Sequence, residues 1–246
     1  MYGILKKKYG QNFLIDQNII KKICGLITSK FLNIIEIGPG DGRLTEEVLK
    51  LEPKEFILIE IDADLIPIIK TKFDKNSNVK IINKNILNYP LIEKVDLIIS
   101  NLPYNISSQI LVKICLMKHL PNNLILMFQK EFAERLTDVK LNSLNSLVNC
   151  FYEINTSFNV GKNCFRPIPK IDSTVLFFQR KKNPLLRMSE INKFIDFKRI
   201  LFSHKRKKLS NLLKDYKFDK RKFNLNLRIE DLSLQILLKI FREINL

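Results

Sequence analysis

The sequence predicts an α/β protein: a parallel sheet flanked by helices, then a smaller helical domain. Three features of its 246 residues point there. Short continuous apolar runs, such as Phe56-Ile57-Leu58-Ile59 and Leu97-Ile98-Ile99, alternate with stretches of helical periodicity, the pattern of strands buried on both faces of a sheet. A glycine turn, Gly38-Pro39-Gly40-Asp41-Gly42, separates the first such run from a helical stretch, the Rossmann-like geometry in which backbone approaches a nucleotide closely. The charge is lopsided: residues 180–246 hold 19 Lys and Arg against 7 Asp and Glu, so +12 of the total +17 sits there. The expected division is residues 1–180 for the sheet domain and 181–246 for a basic helical one.

Taken in order, the chain opens on a polar, basic lead from Lys6 to Gly10. Asp16 is placed to cap a helix carrying Ile19, Ile20, Ile23, Leu26 and Ile27 on one stripe. Asn12 and Leu14 read equally as lead-in to that helix or as residues folded over a ligand at the sheet edge. Asn33 to Ile37 is the first strand, and the glycine turn after it is followed by a helix with Leu44, Val48, Leu49 and Leu51. Arg43 stands where a dinucleotide fingerprint would need its third glycine. Glu36 and Asp41 suit a pyrophosphate poorly and a cationic ligand better. The second strand, Phe56 to Ile59, ends in Glu60, and an acid at that tip accepts from ribose hydroxyls. Val79 to Asn83 is the third strand, and Asn85 just beyond it is placed to meet a nucleoside base.

Asp96-Leu97-Ile98-Ile99-Ser100-Asn101-Leu102-Pro103-Tyr104 is the fourth strand and its exit. Pro103 lacks an N–H and pushes Leu102 toward an extended conformation, so the chain leaves the strand as a stiff tetrapeptide. An amide oxygen (Asn101), carbonyls and an aromatic face (Tyr104) would then share one small volume beyond the strand. That set suits adenine. Its exocyclic amine is a poor nucleophile because the lone pair is delocalised into the ring. The Asn101 side-chain oxygen and the carbonyl of Leu102 or Pro103 could hold its two hydrogens and draw the nitrogen toward tetrahedral geometry. Tyr104 could stack on the base, a contact of roughly 1–3 kcal/mol. The same residues also make an ordinary strand-ending turn.

A helix from Ser107 to Leu120, a strand from Leu124 to Phe128, helices over 129–136 and 141–148, and a strand from Tyr152 to Val160 follow. Phe165 precedes an extended segment braced by Pro167 and Pro169, with a phosphate-seeking Lys170; it reads as a core aromatic or as a second face for an unstacked base. Near the C-terminus, Ser189 caps a helix with Ile191, Phe194, Ile195, Leu201 and Phe202. A basic block follows at Ser203-His204-Lys205-Arg206-Lys207-Lys208. A last helix carries Leu232, Ile236, Leu237, Ile240, Phe241 and Ile244.

Composition removes several classes. No apolar run reaches the roughly 18 residues of a membrane span, and no signal core follows Lys6-Lys7-Lys8, so a cytoplasmic setting is expected. The four cysteines are scattered without metal-ligand spacing, and His119 and His204 are the only histidines, so no metal site is expected. The basic excess favours a polyanionic partner, with the basic block on phosphates that position rather than specify.

Five stretches together carry a resemblance: Tyr9-Gly-Gln-Asn-Phe-Leu-Ile-Asp16, Glu36-Ile-Gly-Pro-Gly40, Asn101-Leu-Pro-Tyr-Asn-Ile-Ser-Ser108, Phe165-Arg-Pro-Ile-Pro-Lys-Ile-Asp-Ser173 and Phe202-Ser-His-Lys-Arg-Lys-Lys-Leu209. The chain resembles the small-subunit (16S-type) rRNA adenine-N6,N6 dimethyltransferases of the kasugamycin-resistance type. The resemblance implies a Rossmann-like methyltransferase domain using S-adenosyl-L-methionine, and a small RNA-binding domain. It implies a substrate of two adjacent adenosines in the 3′-terminal hairpin of small-subunit rRNA, modified in a pre-ribosomal particle by a monomer. Asn12, Leu14, Gly38, Glu60, Asn85 and Asn101 fall on its cofactor positions. Asn101, Leu102 and Tyr104 fall on its target-adenine motif, and Phe165 on a second base-flanking aromatic. One departure is Asn85, where the family usually has Asp; Asn still offers an oxygen acceptor. A large-subunit rRNA adenine methyltransferase of the antibiotic-resistance type is an alternative, against which Leu102, Asp172 and the stretch 202–209 speak. A non-catalytic assembly factor of the same fold is another, against which the glycine turn, Glu60 and Asn101 speak.

Overall fold

The computed structural model describes residues 11–29, 32–204 and 206–245. Lys6 to Gly10, with Tyr9, and Lys205 of the basic block lie outside the described residues. In chain order the strands are β1 (Phe13–Leu14), β2 (Asn33–Ile37), β3 (Glu55–Glu60), β4 (Val79–Asn83), β5 (Leu97–Asn101), β6 (Asn123–Gln129), β7 (Tyr152–Val160), β8 (Phe165–Arg166) and β9 (Ser173–Arg180). The helices are α1 (Gln17–Cys24), α2 (Arg43–Leu49), α3 (Ile66–Phe73), α4 (Ser107–Cys115), α5 (Lys130–Thr137), α6 (Asn145–Val148), α7 (Ile191–Ser203), α8 (Leu209–Leu212) and α9 (Leu234–Asn245). Among the described residues no helix is long and apolar enough to cross a membrane.

The main sheet has seven strands in the order β4-β3-β2-β5-β6-β9-β7. The five from β4 to β6 are parallel, with registers such as Ile34↔Phe56, Ile34↔Leu97 and Leu97↔Asn123. The continuous apolar runs occupy this centre, and Ile35, Leu58, Ile98, Ile99 and Leu124 are fully buried there. β9 returns antiparallel to β6, from Asn123↔Gln179 to Gln129↔Ser173. β1 and β8 form a separate two-stranded sheet, pairing Phe13 with Arg166 and Leu14 with Phe165. Asp16 caps α1 as expected, accepting from the N–H groups of Asn18 and Ile19 at 2.9 and 3.1 Å.

The chain divides into two units, one of residues 1–134 and 153–180, the other of 135–152 and 181–246. The expected boundary at 180 therefore needs a correction, because residues 135–152 go with the C-terminal part. Backbone bonds show why: Lys181 N–H donates to Phe151 O and Leu185 N–H to Cys150 O, each at 2.8 Å, and Leu141 N–H to Glu230 O at 3.2 Å. Buried Lys198 of α7 also donates to the carbonyl of Ser143 and, at 3.2 Å, to its hydroxyl. Within this second unit the aromatic stripe of α7 meets α9, Phe194 and Phe197 lying 5.2 and 5.5 Å from the Phe241 ring centre.

Two helices are shorter than their apolar periodicity suggests. α4 ends at Cys115, not near Leu120. The helix expected over 141–148 contracts to α6, because the Asn142 side chain accepts from the N–H groups of Leu144 and Asn145 at 3.0 and 2.9 Å and so replaces the first helical turn. Ser189 does not cap α7: the N-cap residue is Glu190, which makes no side-chain cap bond there, its carboxylate accepting instead from Arg187 N–H at 2.8 Å across the 3-10 turn Met188–Glu190.

Candidate active site beyond the parallel strands

From β2 the chain winds outward through β3 and β4, then returns to lay β5 on the other side of β2. The loops leaving β2 and β5 diverge there, and ligands of open α/β sheets bind at such a switch. A crevice of about 940 Å³, counting its open mouth, occupies the place. Asn12, Leu14, Gly38, Glu60, Asn85, Asn101, Leu102 and Tyr104 all line it. The structure thus brings together every site residue read from the sequence except Phe165.

On the β2 side, Gly38 has φ +67°, and a Cβ there would project into open space. Gly40 has φ +62°, and a Cβ would lie 2.8 Å from the Phe13 ring, so this glycine lets β1 fold over the turn. The carboxylate of Glu60 is held from both sides, accepting Gly40 N–H at 3.2 Å and Asp62 N–H at 2.9 Å. Burial pushes its pKa upward against those bonds. Glu36 is fully buried in β2 and also lines the crevice; burial pushes it up to about 8 although the Thr45 hydroxyl donates to it at 2.7 Å. Asp41 pairs with Arg43 at 2.8 Å.

Asn85 caps a short 3-10 turn over Ile86–Asn88, its Oδ1 accepting Leu87 N–H at 2.9 Å. The oxygen the sequence offered to a base is engaged in this cap, which leaves Nδ2 as the end of the amide with no recorded bond from the described residues. Asn85 thus lines the crevice with a donor in Nδ2 and one lone pair of Oδ1 left beside the cap bond.

On the β5 side, Asn101 Nδ2 donates to the Asn12 carbonyl at 2.8 Å. That bond fixes the amide's orientation and leaves Oδ1 as its acceptor. Of the two carbonyls left open by the sequence, Pro103 O is occupied, accepting the Ser107 hydroxyl at 3.0 Å and Ile106 N–H at 3.2 Å. Leu102 O carries no recorded bond from the described residues. Leu102 is buried as a whole residue and lines the inner part of the crevice. Tyr104 is half-buried; its hydroxyl shares a 2.7 Å hydrogen bond with buried Ser173. Burial holds the phenol pKa above its ordinary value, so it is neutral.

Phe165 requires a correction. It is 0 % exposed, lies in the hydrophobic core beside Leu14, Ile20 and Val175, and does not line the crevice. The β1–β8 register turns it inward opposite Leu14, so the core reading holds in this structure and the second base-flanking face is not provided by Phe165. Residues missed in the sequence are Ser173, which steadies Tyr104, and the carbonyl of Asn12, which orients Asn101. Neither has a local signal, since both act across long chain separations.

The crevice suits S-adenosylmethionine on its own geometry: an open glycine cradle at Gly38 and a carboxylate at Glu60 fixed by two backbone N–H groups. Comparison with known proteins agrees. The profile of the family described as ribosomal RNA adenine dimethylase matches residues 4–246. Ribosomal RNA small subunit methyltransferase A of Mycoplasma mycoides subsp. mycoides is 38 % identical over 257 aligned residues, covering 96 % of each chain. A crystal structure of a dimethyladenosine transferase from Plasmodium falciparum superposes with a TM-score of 0.83 at 26 % identity, covering 95 % of this chain and 97 % of that one. The 23S rRNA methyltransferase ErmE shares the fold, with a TM-score of 0.75 at 22 % identity over 95 % of this chain and all of its own. With the Asn101 amide at the tip of β5 and the glycine turn at the tip of β2 lining one crevice, the chain belongs to the ribosomal RNA adenine dimethylase family and is an S-adenosylmethionine-dependent methyltransferase.

Proposed function

We propose that this enzyme dimethylates N6 of two adjacent adenosines in the 3′-terminal hairpin loop of small-subunit rRNA, acting as a monomer on an assembling subunit in the cytoplasm. The observation that carries the chemistry is the Asn101 amide, which lines the crevice with Nδ2 tied to the Asn12 carbonyl and Oδ1 left as its acceptor, beside Leu102, whose carbonyl has no partner among the described residues.

Asn101 Oδ1 and Leu102 O accept the two hydrogens of the adenine amine. Doing so draws electron density back onto nitrogen and aims its lone pair away from the ring plane. Tyr104 stacks on the base, with its ring angle set by Ser173. Glu60 holds the ribose of the cofactor through the lone pairs its two backbone bonds leave free, while Gly38 leaves room for the ligand's approach. Asn85 meets the cofactor's adenine with an N–H donor, which suits a ring nitrogen better than the exocyclic amine. When bound, S-adenosylmethionine supplies a methyl group on a sulfonium, an electrophile that needs only an aligned nucleophile. No strong base is required, because the methylated nitrogen holds an acidic proton that passes to solvent. Catalysis is then orientation plus preset dipoles. The second methylation uses the same acceptors, with one hydrogen left to hold.

The test is to map dimethyladenosine in small-subunit rRNA from cells with and without this protein. The proposal expects two adjacent modified adenosines that vanish together on deletion. Their persistence, or loss of a mark in large-subunit rRNA instead, would overturn it.

A further inference from the structure

We propose that Ile168 is an apolar wedge that enters the RNA base stack as the target adenosine leaves it, a positioning residue for base extrusion. The inference rests on the reading above that an adenosine is drawn out of its stack into the crevice. The loop 167–172 has both ends tied to the mouth of that crevice. At its start, Arg166 pairs with Phe13, which lines the crevice. At its end, Ser173 bonds the Tyr104 hydroxyl at 2.7 Å. Asp172 pins the base of the loop twice more, its carbonyl accepting Lys130 N–H at 3.0 Å and its carboxylate accepting Lys162 N–H at 2.9 Å.

On this anchored loop Ile168 is 53 % exposed, between two prolines that fix their own backbone φ. A β-branched side chain on a loop anchored at the crevice mouth thus leaves about half of its surface in water. Of the other large exposed apolar residues of the same unit, Ile68 on α3, Ile92 and Leu116 just after α4 do not line the crevice, and Ile61 is part of its lining rather than of a loop anchored beside it. The segment that carries Ile168 is mostly cationic: Lys162, Arg166 and Lys170 are exposed, with Asp172 as its exposed acid. Arg166 is steadied by donating to the Phe165 carbonyl at 2.9 Å. An apolar tip on a stiff support, ringed by charges that seek phosphate, is the chemistry of a side chain that inserts between bases. Unstacking then exposes a gap, and Ile168 fills it while Tyr104 receives the base.

The test uses the full-length protein and small subunits reconstituted with 2-aminopurine in place of the target adenosine, whose emission rises on unstacking. Wild type should raise that emission. Ile168→Ala should bind the particles within about twofold of wild type, show roughly a threefold smaller rise, and lose about tenfold in kcat on adenosine particles with little change in KM. Ile168→Leu should restore both. A full rise with Ile168→Ala, or a loss of particle binding that accounts for the whole defect, would overturn the wedge while leaving the extrusion reading intact. No rise with wild type would overturn the extrusion reading itself, and the wedge with it.

Discussion

The crevice of the first unit and the basic surface of the second are built on opposite terms. In the crevice each working group is held by a named partner: Asn101 by the Asn12 carbonyl, Tyr104 by Ser173, Glu60 by two backbone N–H groups. In the second unit Arg206, Lys207 and Lys208 stand exposed, and the buried exception, Lys198, is fixed to Ser143 in a structural role. Fixed dipoles suit a reaction whose geometry must not vary. Solvated charges suit phosphates, where affinity comes from counterion release and tolerates imprecision. Substitutions in the crevice should therefore change turnover with binding intact, and substitutions in the basic surface the reverse.

After Asn101, the largest effect that would sharpen this contrast is at Tyr104. Tyr104→Ala should cut methyl transfer by about ten- to a hundredfold, the size of a lost base stack. Tyr104→Phe keeps the ring and loses only the tie to Ser173, so a few-fold loss is expected. Equal losses in a tritiated-methyl assay would remove stacking from the account. Next, Arg206, Lys207 and Lys208 changed together to Ala should lower the slope of log affinity against log salt by about 2, with kcat on saturating particles unchanged. An unchanged slope would make that block a solvated face.

Asn85→Asp should be smaller and favourable. Aspartate can cap Leu87 with one oxygen and accept the cofactor's adenine amine with the other, so affinity for S-adenosylhomocysteine should rise, by about tenfold at most. Weaker binding in calorimetry would show that the Nδ2 donor is the better partner. The smallest effect concerns Glu36. Its folded pKa, about 8, lies above the ordinary carboxylate range. Its neutral form thus contributes stability that is full at acid pH and lost as pH rises through that value. Glu36→Gln should therefore melt progressively higher relative to wild type as pH is raised from about 5 to about 9. A difference that stays flat with pH would mean that Glu36 is already ionised.

Much of the crevice is legible in the chain because its parts are local. The apolar runs locate β2 to β6, and the glycine turn and the Asn101-Leu-Pro-Tyr104 exit mark two strand ends that the parallel topology must bring side by side. What is not legible depends on distant pairing. β9 carries the apolar run Val175–Phe178, but its place depends on pairing with β6 far back in the chain, and β1 and β8 exist only through each other. That two-residue pairing is what turns Phe165 into the core. The allegiance of residues 135–152 likewise rests on bonds to Lys181, Leu185 and Glu230, far along the chain. The choice between Leu102 and Pro103 as acceptor needed the Ser107 hydroxyl in place.

The central claim is that the Asn101 amide grips the target amine and does not merely shape the fold. Single-turnover methyl transfer by Asn101→Ala, measured beside its affinities for S-adenosylhomocysteine and for small-subunit particles, tests it most directly. Transfer should fall by about 10²–10³, as for a lost oxyanion-type group, with particle affinity unchanged and cofactor affinity within a few-fold. Transfer near the wild-type rate, or a loss explained entirely by weaker binding, would contradict the claim.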